Sequence, residues 1–443
     1  MPSARTESAV EQRTIQVLNE IFAGCPVDRV AVRLWDGTAW PDGQKRAATL
    51  ALKHPGALSR MFLPGSEVGL AEAYLRDDFD IEGDMEAAFS IADFLLTRVR
   101  DWRTQLKLAG ALLSLPNDGS TLRTVAGRLL PDLRGRRYSH ERDRQDVTFH
   151  YDVSNDFYRL WLDPRMVYSC AYFQSAGDDL EQAQRRKLDY LCRKLRLHPG
   201  QRLLDIGCGW GGLVLHAARQ YGVRALGITL SRPQMDWARA RIAEAKLENQ
   251  VSVELRDYRE IRADREEPYD AIVSVGMAEH VGREQLADYF GLALGALKPG
   301  GVFLNHAIGA ATLAAARHPR RNEFIDRYVF PDGDIPPVPL LLNAAESAGF
   351  EIRDVENLRE HYALTLRHWV RRLEARHAEA LSFVNEPTYR TWRLYMAGSA
   401  HGFRRGQLGI YQTLLAKPDG QGNAHLPLTR DDWYAYKPSG TFG

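Results

Sequence analysis

The first candidate for chemistry is a glycine-rich segment, Asp205 to Gly212, that follows a short run of apolar residues. Glycine has no Cβ, so a backbone that contains several glycines can turn sharply and approach a ligand closely. Gly207, Gly209 and Gly212 satisfy the spacing G-x-G-x-x-G. The free N–H groups of a helix predicted to follow would face the same ligand. The segment therefore predicts a loop that binds a nucleotide-like cofactor.

The residues around this loop separate three interpretations. A dinucleotide site needs an acid at the end of the second strand to bind the ribose, and residues 227–231 contain none. Asp205, two residues before the first glycine, and the turn Leu297–Gly301 are both typical of class I methyltransferases. These features favour S-adenosyl-L-methionine (SAM) as the cofactor, with Asp205 in its site. A dinucleotide enzyme and a purely structural turn are the alternatives.

Four further side chains have the chemistry of acid–base or anion-binding groups. Glu279 follows the predicted fourth strand and His306 closes the predicted fifth, at the edge where ligands of open α/β sheets bind. A carboxylate there should have a partner, because an unpaired buried charge is costly. Tyr362 lies near a predicted helix start, where its hydroxyl can donate to an anion. On the residues alone, Glu279 could equally be a helix N-terminal or surface acid, His306 a hydrogen-bonded core residue and Tyr362 a packing residue. Cys170 has no obvious base that would make it a nucleophile.

A regular framework is predicted to position these residues. The predicted strands are 201–206, 223–228, 251–255, 269–275 and 302–306. The predicted helices between them include 211–221, 233–247 and 286–297. This alternation is typical of a doubly wound parallel sheet. The predicted fold class is therefore α/β, a Rossmann-like sheet of the class I methyltransferase type with a smaller N-terminal α+β domain.

A polar, arginine-rich segment divides the chain. It contains Asn-Asp-Gly and a proline and has no long apolar periodicity, so it is predicted to be a linker. The predicted domains are an N-terminal domain at 1–115 that binds or presents lipid, a linker at 116–147, and a catalytic domain at 148–443. Residues 91–115 have a basic amphipathic pattern, which can lie on a lipid surface. A helix that faces the core with a solvated outer side is the simpler alternative.

Composition excludes several function classes. The net charge of +1 over 443 residues gives no overall field that would attract nucleic acid. The four cysteines, at 25, 170, 192 and 208, form neither a C-x-x-C pair nor a zinc-type cluster, so we expect a reducing compartment and no metal. The N-terminus lacks a secretory signal, and no run of about 18 apolar residues occurs. We therefore expect a cytoplasmic protein that meets a membrane only at its surface.

Several segments together resemble the cyclopropane-fatty-acyl-phospholipid synthase family, which includes the mycolic acid cyclopropane synthases. The resemblance covers about residues 148–415 and extends more weakly through 69–74. The segments that carry it are 150–158 (HYDVSNDFY), 168–173 (YSCAYF), 204–212, 227–234, 274–282 (SVGMAEHVG) and 328–333 (YVFPDG).

The resemblance implies methyl transfer from SAM to the cis double bond of an unsaturated acyl chain in a membrane phospholipid. The resulting carbocation would lose a proton to bound bicarbonate and close to a cyclopropane ring. The implied bicarbonate ligands are the Cys170 backbone, the Glu279 side chain, His306, the Ile308 backbone and Tyr362. The implied cofactor contacts are Tyr168, Ser169, Gly207, Gly209, Thr229, Leu230, Gln234, Tyr258 and Arg259. A homodimer with transient contact to the inner face of the membrane is also implied.

Two features bear on the product. Residues 151–173 are rich in aromatic side chains, whose ring faces can stabilise a cation by about 0.5–2 kcal/mol each. Ala278 stands beside Glu279 where the family often has Phe, so the acyl preference and the product are open. The alternatives are a methyl-branched or methylene product from the same alkene, a small-molecule methyltransferase, and a non-catalytic lipid-binding relative.

Overall fold

The structure is a computed structural model. It describes residues 4–25, 28–98, 102–116, 135, 137–143, 145, 153–261, 267–312 and 323–434. The described chain forms two compact units. The first contains the described residues up to 116 together with 323–329 and 377–401, and the second contains the others.

The first unit is built on a four-stranded sheet of order β2-β1-β3-β4, in which β1 and β3 are parallel and the other pairs antiparallel. Its strands are β1 (Val30–Arg33), β2 (Ala39–Trp40), β3 (Ala48–Leu52) and β4 (Phe79–Gly83). Helices complete this α+β unit at Ala4–Ile21, Ala57–Phe62, Glu67–Leu75, Met85–Arg98, Trp102–Leu113, Glu323–Tyr328, His377–Ala380 and, for most of its length, Glu386–Arg404.

The boundaries of this unit differ from the predicted domains. The sequence predicts one continuous domain at 148–443, whereas 323–329 and 377–401 pack within the first unit. Arg390 explains part of this, because its guanidinium donates to the Tyr74 carbonyl at 3.0 Å and pairs with Asp77 at 2.7 Å. The predicted linker lies mostly outside the described residues, and its residues 137–143 belong to the second unit.

The second unit contains a seven-stranded sheet of order β10-β11-β9-β8-β5-β6-β7. The strands are β5 (Arg202–Ile206), β6 (Arg224–Thr229), β7 (Val251–Leu255), β8 (Tyr269–Val275), β9 (Leu297–Ala310), β10 (Glu351–Asn357) and β11 (Leu408–Ala416). β5 to β9 are parallel, which confirms the predicted doubly wound arrangement. β10 and β11 are antiparallel and were not predicted.

The longer helices of this unit cover both faces of the sheet. They are Leu180–Lys194, Gly212–Tyr221, Arg232–Glu244, Leu286–Ala296, Val338–Ala348 and Arg359–Ala375. Successive residues of a strand point to opposite faces. Leu203 accordingly belongs to one buried apolar cluster and Leu204 to the other. Burial of both faces explains why the central strands β5, β8 and β9 are largely apolar, whereas the edge strand β7 alternates.

Two local predictions need correction. His306 does not close its strand, because β9 continues to Ala310, where it pairs with Leu408 of the unpredicted β11. The pattern at 91–115 falls on two helices, Met85–Arg98 and Trp102–Leu113, with 99–101 outside the described residues. No helix in the described part of the chain is long and apolar enough to cross a membrane.

Candidate active site

A cleft opens at the carboxyl ends of the parallel strands, where the strand order reverses between β5 and β8. Ligands of doubly wound sheets bind at this position. All the predicted cofactor residues except Arg259 line it, namely Tyr168, Ser169, Asp205, Gly207, Gly209, Thr229, Leu230, Gln234 and Tyr258. The fold therefore brings together residues that are distant in sequence.

The glycine loop forms one wall of this cleft. The N–H groups of Gly207 and Cys208 both donate to the Ile228 carbonyl at 3.0 Å, which ties the loop to the end of β6. Gly207 has a φ of +82°, a conformation that glycine adopts without steric cost. A Cβ at Gly212 would lie 2.9 Å from the Arg165 carbonyl. The predicted glycines thus allow the backbone itself to line the cleft.

The end of β6 supplies a hydroxyl and an amide. Thr229 Oγ1 donates to Gln234 Oε1 at 2.8 Å, and both side chains are buried. Ser231 caps the following helix by accepting the N–H of Gln234, which fixes the position of that residue. Since its carbonyl oxygen is engaged, the Gln234 amide presents N–H donors to a ligand hydroxyl, as a ribose requires.

Arg259 lies apart from the main cleft. Its guanidinium pairs with Asp257 at 2.6 Å and Asp143 at 2.9 Å and donates to the Tyr138 carbonyl at 3.0 Å. It lines a smaller neighbouring pocket together with Tyr258. Because these partners already use its donors, the geometry favours a role in orienting this side of the cleft.

A charged residue that the sequence reasoning missed lies in the cleft wall. Lys187 is 2% exposed, and its Nζ donates to Ser169 Oγ at 2.9 Å. Burial lowers the pKa of Lys187 to about 8 and raises the pKa of Asp205 to about 7. The sequence could have shown that this lysine is buried, because it lies on the apolar stripe of its helix, beside Leu188 and one turn before Leu191.

Glu279 lies just beyond β8, in the short helix Ala278–Val281. The Ile308 N–H donates to Glu279 Oε1 at 2.7 Å, as expected for two residues of one site. Among the residues that the structure describes, Glu279 Oε2 has no hydrogen-bond partner although it is buried. Burial raises the pKa of this carboxyl, against the lowering effect of the Ile308 N–H.

His306 lies beside the cleft wall. Its carbonyl accepts the N–H of Gly276, a cleft residue, at 2.8 Å. Its Nδ1 lies 3.4 Å from Gln412 Nε2, while Nε2 is buried and has no partner within the described part of the chain. Burial lowers the pKa of His306 well below its usual range, so the ring is neutral near pH 7.

Backbone contacts connect Cys170 and Tyr362 to the same end of the sheet. Cys170 Sγ lies 3.8 Å from the Leu358 carbonyl, which also accepts the Tyr362 N–H at 3.1 Å. The Leu358 N–H donates to Ile410, the β11 partner of Ile308. Burial raises the pKa of the Cys170 thiol, so a thiolate role is disfavoured.

The residues present fit an anion such as bicarbonate. Glu279 Oε2 and His306 Nε2 are buried polar atoms that lack partners among the described residues, and a buried polar atom of this kind is normally satisfied by a ligand, water or ion. A neutral His306 can donate from Nε2, and Glu279 Oε2 offers a second polar atom to the same ligand. Both would otherwise remain unsatisfied.

Aromatic rings surround Tyr168. The centroids of Tyr158, Trp161 and Trp369 lie 5.7, 5.4 and 5.2 Å from that of Tyr168. Tyr158 and Trp161 are fully buried and pack with one another, so most of the predicted aromatic cluster is core. Tyr168 itself lines the cleft. Tyr151, which the prediction included, lies outside the described residues.

Ala278 belongs to the buried apolar cluster on one face of the sheet, with Leu204 and Phe303. Its neighbours Met277 and His280 line the cleft, whereas Ala278 does not. The side chain at this position therefore belongs to the core in this chain.

Comparison with known proteins decides the family. The model of the mycolic acid cyclopropane synthetase family matches residues 138–413. The chain belongs to that family. A probable fatty acid methyltransferase from Pseudomonas putida is 39% identical over 404 residues, which cover 91% of this chain and 95% of that protein. The cyclopropane-fatty-acyl-phospholipid synthase of Escherichia coli K12 is 32% identical over 370 residues, 84% of this chain and 88% of that protein.

A solved structure of the cyclopropane synthase family agrees with the fold. Mycolic acid cyclopropane synthase CmaA1, complexed with SAH and CTAB, is 35% identical with a TM-score of 0.58. The match covers 61% of this chain and 97% of CmaA1. These likenesses confirm the predicted fold class and show that the chain is a SAM-dependent methyltransferase of the family.

Proposed function

We propose that this enzyme transfers a methylene unit from SAM to the cis double bond of an unsaturated acyl chain in a membrane phospholipid and so forms a cyclopropane ring. One observation carries the proposal. Two buried polar atoms, Glu279 Oε2 and His306 Nε2, stand beside the cofactor cleft and lack partners in the described part of the chain. These two residues would hold an anion, which would supply a base for the proton that the methylated chain must lose.

The chain's residues first hold the reactants. Bound SAM would supply the methyl group and leave as its sulfide, and bound bicarbonate would accept the proton that the methylated chain loses before its ring closes. The glycine loop, Thr229 and Gln234 orient the cofactor from the ends of β5 and β6. Such positioning lowers the barrier by placing the reacting carbons in a near-attack geometry.

The hydrogen bonds around Glu279 and His306 determine which of their polar atoms are left to face the anion. The Ile308 N–H holds Glu279 Oε1, which leaves Oε2 to face the anion. With Gln412 Nε2 facing Nδ1, the His306 ring carries its proton on Nε2. The neutral His306 ring would then donate to the anion from Nε2 without adding a full positive charge, and Glu279 Oε2 would be the second group that holds it. The neighbouring ring of Tyr168 would stabilise the cationic chain.

The coverage of the relatives supports an acyl-lipid substrate. The matches to the Pseudomonas and Escherichia coli proteins extend well beyond the family-model range, to 91% and 84% of this chain. Both of these names refer to fatty acyl substrates. We therefore propose that the N-terminal residues 1–115 bind or present the lipid. A homodimer in the cytoplasm that contacts the inner face of the membrane transiently is part of the same proposal.

A second product has specific support. The Pseudomonas relative is called a probable fatty acid methyltransferase, and it matches nearly the whole chain. Methyl transfer to the same alkene followed by a hydride shift and proton loss would give a methylene-bearing chain. A methyl branch would form only if a separate, hydride-donating reductase then reduced that double bond. Both outcomes share one cation, so the same residues serve either reaction.

The test is the fatty acid profile of a bacterial host that lacks its own cyclopropane synthase. Expression of the wild-type protein should convert monounsaturated chains into chains with one added CH₂ group, and Glu279→Gln should abolish this. Glu284→Gln is the matched control, because Glu284 is an exposed acid on the following turn. Nuclear magnetic resonance of the isolated methyl esters then distinguishes ring protons from methylene protons.

Three outcomes separate the hypotheses. Ring signals that disappear with Glu279→Gln support cyclopropanation, and methylene signals support the second product. Unchanged lipids in cells that contain folded, SAM-binding protein would contradict the phospholipid substrate. Full activity of the Glu279→Gln protein would contradict the role given to this carboxyl.

A further inference from the structure

The segment at residues 167–173 borders the cleft but belongs to no helix or strand, so its backbone groups need partners elsewhere. The helix Leu180–Lys194 supplies some of them. From that helix, the Gln184 amide donates to the Ser169 carbonyl at 2.8 Å. The first part of the segment, on the cofactor side, is therefore anchored by this helix.

A second helix, Arg359–Ala375, holds the later part of the segment through two side chains. Thr365 Oγ1 accepts the Ala171 N–H at 3.0 Å, and His361 Nδ1 accepts the Phe173 N–H at 3.0 Å. His361 and Thr365 are four positions apart, so they lie on the same face of their helix. The two side chains thus replace the hydrogen bonds that a neighbouring strand would otherwise provide.

Stacking also fixes the His361 ring. It lies nearly parallel to the Tyr172 ring, with 4.8 Å between the centroids and 11° between the planes. Burial lowers the pKa of His361, against the raising effects of Glu356 and Glu360, so the ring is neutral near pH 7. A neutral ring that accepts at Nδ1 carries its proton on Nε2. A second proton would sit on Nδ1 and face the Phe173 N–H, which would break this hydrogen bond.

This hydrogen bond lies close to the proposed anion site. Cys170, whose backbone is one of the expected anion ligands, comes directly before Ala171 and three residues before Phe173. The Cys170 side chain is fully buried, and its Sγ lies 3.8 Å from the Leu358 carbonyl. Since the cofactor side of the segment is anchored separately, a change at His361 should act mainly on the backbone around Cys170.

We propose that His361 is a positioning residue for the reaction, which holds the backbone around Cys170 in place only while its ring is neutral. It acts through residues 171–173 and contacts neither reactant. The later part of the segment should therefore loosen in acid, when the imidazole takes up a proton. The effect on turnover rests on the proposed function, whereas the hydrogen bond itself can be tested without a substrate.

Hydrogen–deuterium exchange, resolved to single amides by fragmentation mass spectrometry, would test the hydrogen bond in the full-length, cofactor-free protein. After correction for the intrinsic pH dependence of exchange, protection of the Phe173 amide should fall by about 3- to 10-fold between about pH 7.5 and about pH 5, the range for one hydrogen bond. The Ala171 amide is the internal reference, because its acceptor Thr365 does not titrate. Its protection should change by less than about 2-fold.

Two variants separate the acceptor from the ring. His361→Asn offers Oδ1 as an acceptor that does not titrate, so protection of the Phe173 amide should be the same at both pH values. Its kcat, measured as SAH release with vesicles of dioleoylphosphatidylglycerol, should stay within about 3-fold of wild type. His361→Phe keeps a ring against Tyr172 but removes the acceptor. Protection should then be low at both pH values and kcat about 10-fold lower or more, with the Kd of SAH within about 2-fold of wild type.

His368→Gln is the matched control. His368 lies on the same helix and its ring stacks on that of Phe173, with 5.6 Å between the centroids. Within the described residues, however, it accepts no backbone N–H from the segment. Both the pH dependence of exchange and kcat of His368→Gln should therefore match those of wild type.

Three results would overturn the inference. They are equal protection of the wild-type Phe173 amide at both pH values, wild-type protection in His361→Phe, and unchanged turnover in a His361→Phe protein whose amide is unprotected. If His361→Phe does not fold, the wild-type pH dependence and its absence in His361→Asn carry the test. Acid-sensitive protection in a wild-type protein that leaves the vesicles unmodified would contradict the proposed substrate and support the role of His361 in holding the segment.

Discussion

Replacing Lys187 by Met should stabilise the cofactor-free protein. Methionine has nearly the length of the lysine side chain and fits a buried site without a charge. Burial lowers the pKa of Lys187 from 10.5 to about 8. The folded protein therefore holds this ammonium at a free-energy cost whenever the lysine is protonated.

The size of the effect follows from that pKa. Each tenfold change in proton affinity is worth about 1.4 kcal/mol, so the fall from 10.5 to about 8 represents about 3 kcal/mol. The Met variant loses the hydrogen bond to Ser169, which offsets about 1 kcal/mol. A net gain of about 2 kcal/mol in the free energy of unfolding is expected near pH 7.

The stability that the Met variant gains should decrease as the pH rises. Below about pH 8 the lysine is protonated in both the folded and the unfolded chain, so the cost is fully present. Between about 8 and 10.5 the folded protein releases the proton first, and the advantage of the Met variant disappears. The groups that face Lys187 are Asp163, Cys170, Asp205 and Cys192, of which Asp205 titrates near pH 7.

Urea unfolding of the cofactor-free protein at pH 7.5 and at about pH 10 measures this difference. Lys194→Met is the matched control, because it removes a buried lysine from the same helix but breaks two ion pairs. The free energy of unfolding of the Lys194→Met variant should fall by about 3–5 kcal/mol. The reasoning would be refuted if Lys187→Met were destabilised like Lys194→Met, or if its gain were the same at both pH values.

Two further substitutions test the packing around the cleft. Gly211→Ala should cost more than about 1 kcal/mol in thermal unfolding, because Gly211 has a φ of +80° and its Cβ would lie 2.9 Å from Ala238 Cβ; an unchanged melting temperature would contradict this. Ala278→Phe should destabilise by about 1–3 kcal/mol through overpacking and leave the distribution of acyl products unchanged. A shifted acyl profile would show that this position does reach the substrate.

The cofactor loop was predictable because its signal is local. Gly207, Gly209 and Asp205 lie within a few positions of one another, and a strand-turn-helix with this spacing has few other uses. The parallel strands were predictable for a similar reason, since burial on both faces produces continuous apolar runs. The positions of Glu279 and Ile308 in one site needed the resemblance, because only the folded sheet joins them at 2.7 Å.

What the sequence did not reveal depends on long-range pairing. β10 and β11 have mixed polar and apolar residues, and their antiparallel pairing extends β9 past His306. The segment at 377–401 joins the first unit through the buried Arg390, whose partners lie far upstream. A periodic pattern, as in the helix Glu386–Arg404, shows which face of a segment is buried but not the unit that it packs against, so no local rule could have placed either segment.

The distribution of buried charge separates structural residues from functional ones in this chain. Arg390 and Lys194 are buried with carboxylate partners, which is how a protein compensates for desolvation. Glu279 and His306 are buried too, but within the described residues Glu279 Oε2 and His306 Nε2 have no hydrogen-bond partner. Both residues lie beside the cofactor cleft, where the proposed anion would satisfy them. Because an unsatisfied buried group lowers stability, the grouping of these two atoms beside the cleft supports the proposed anion site.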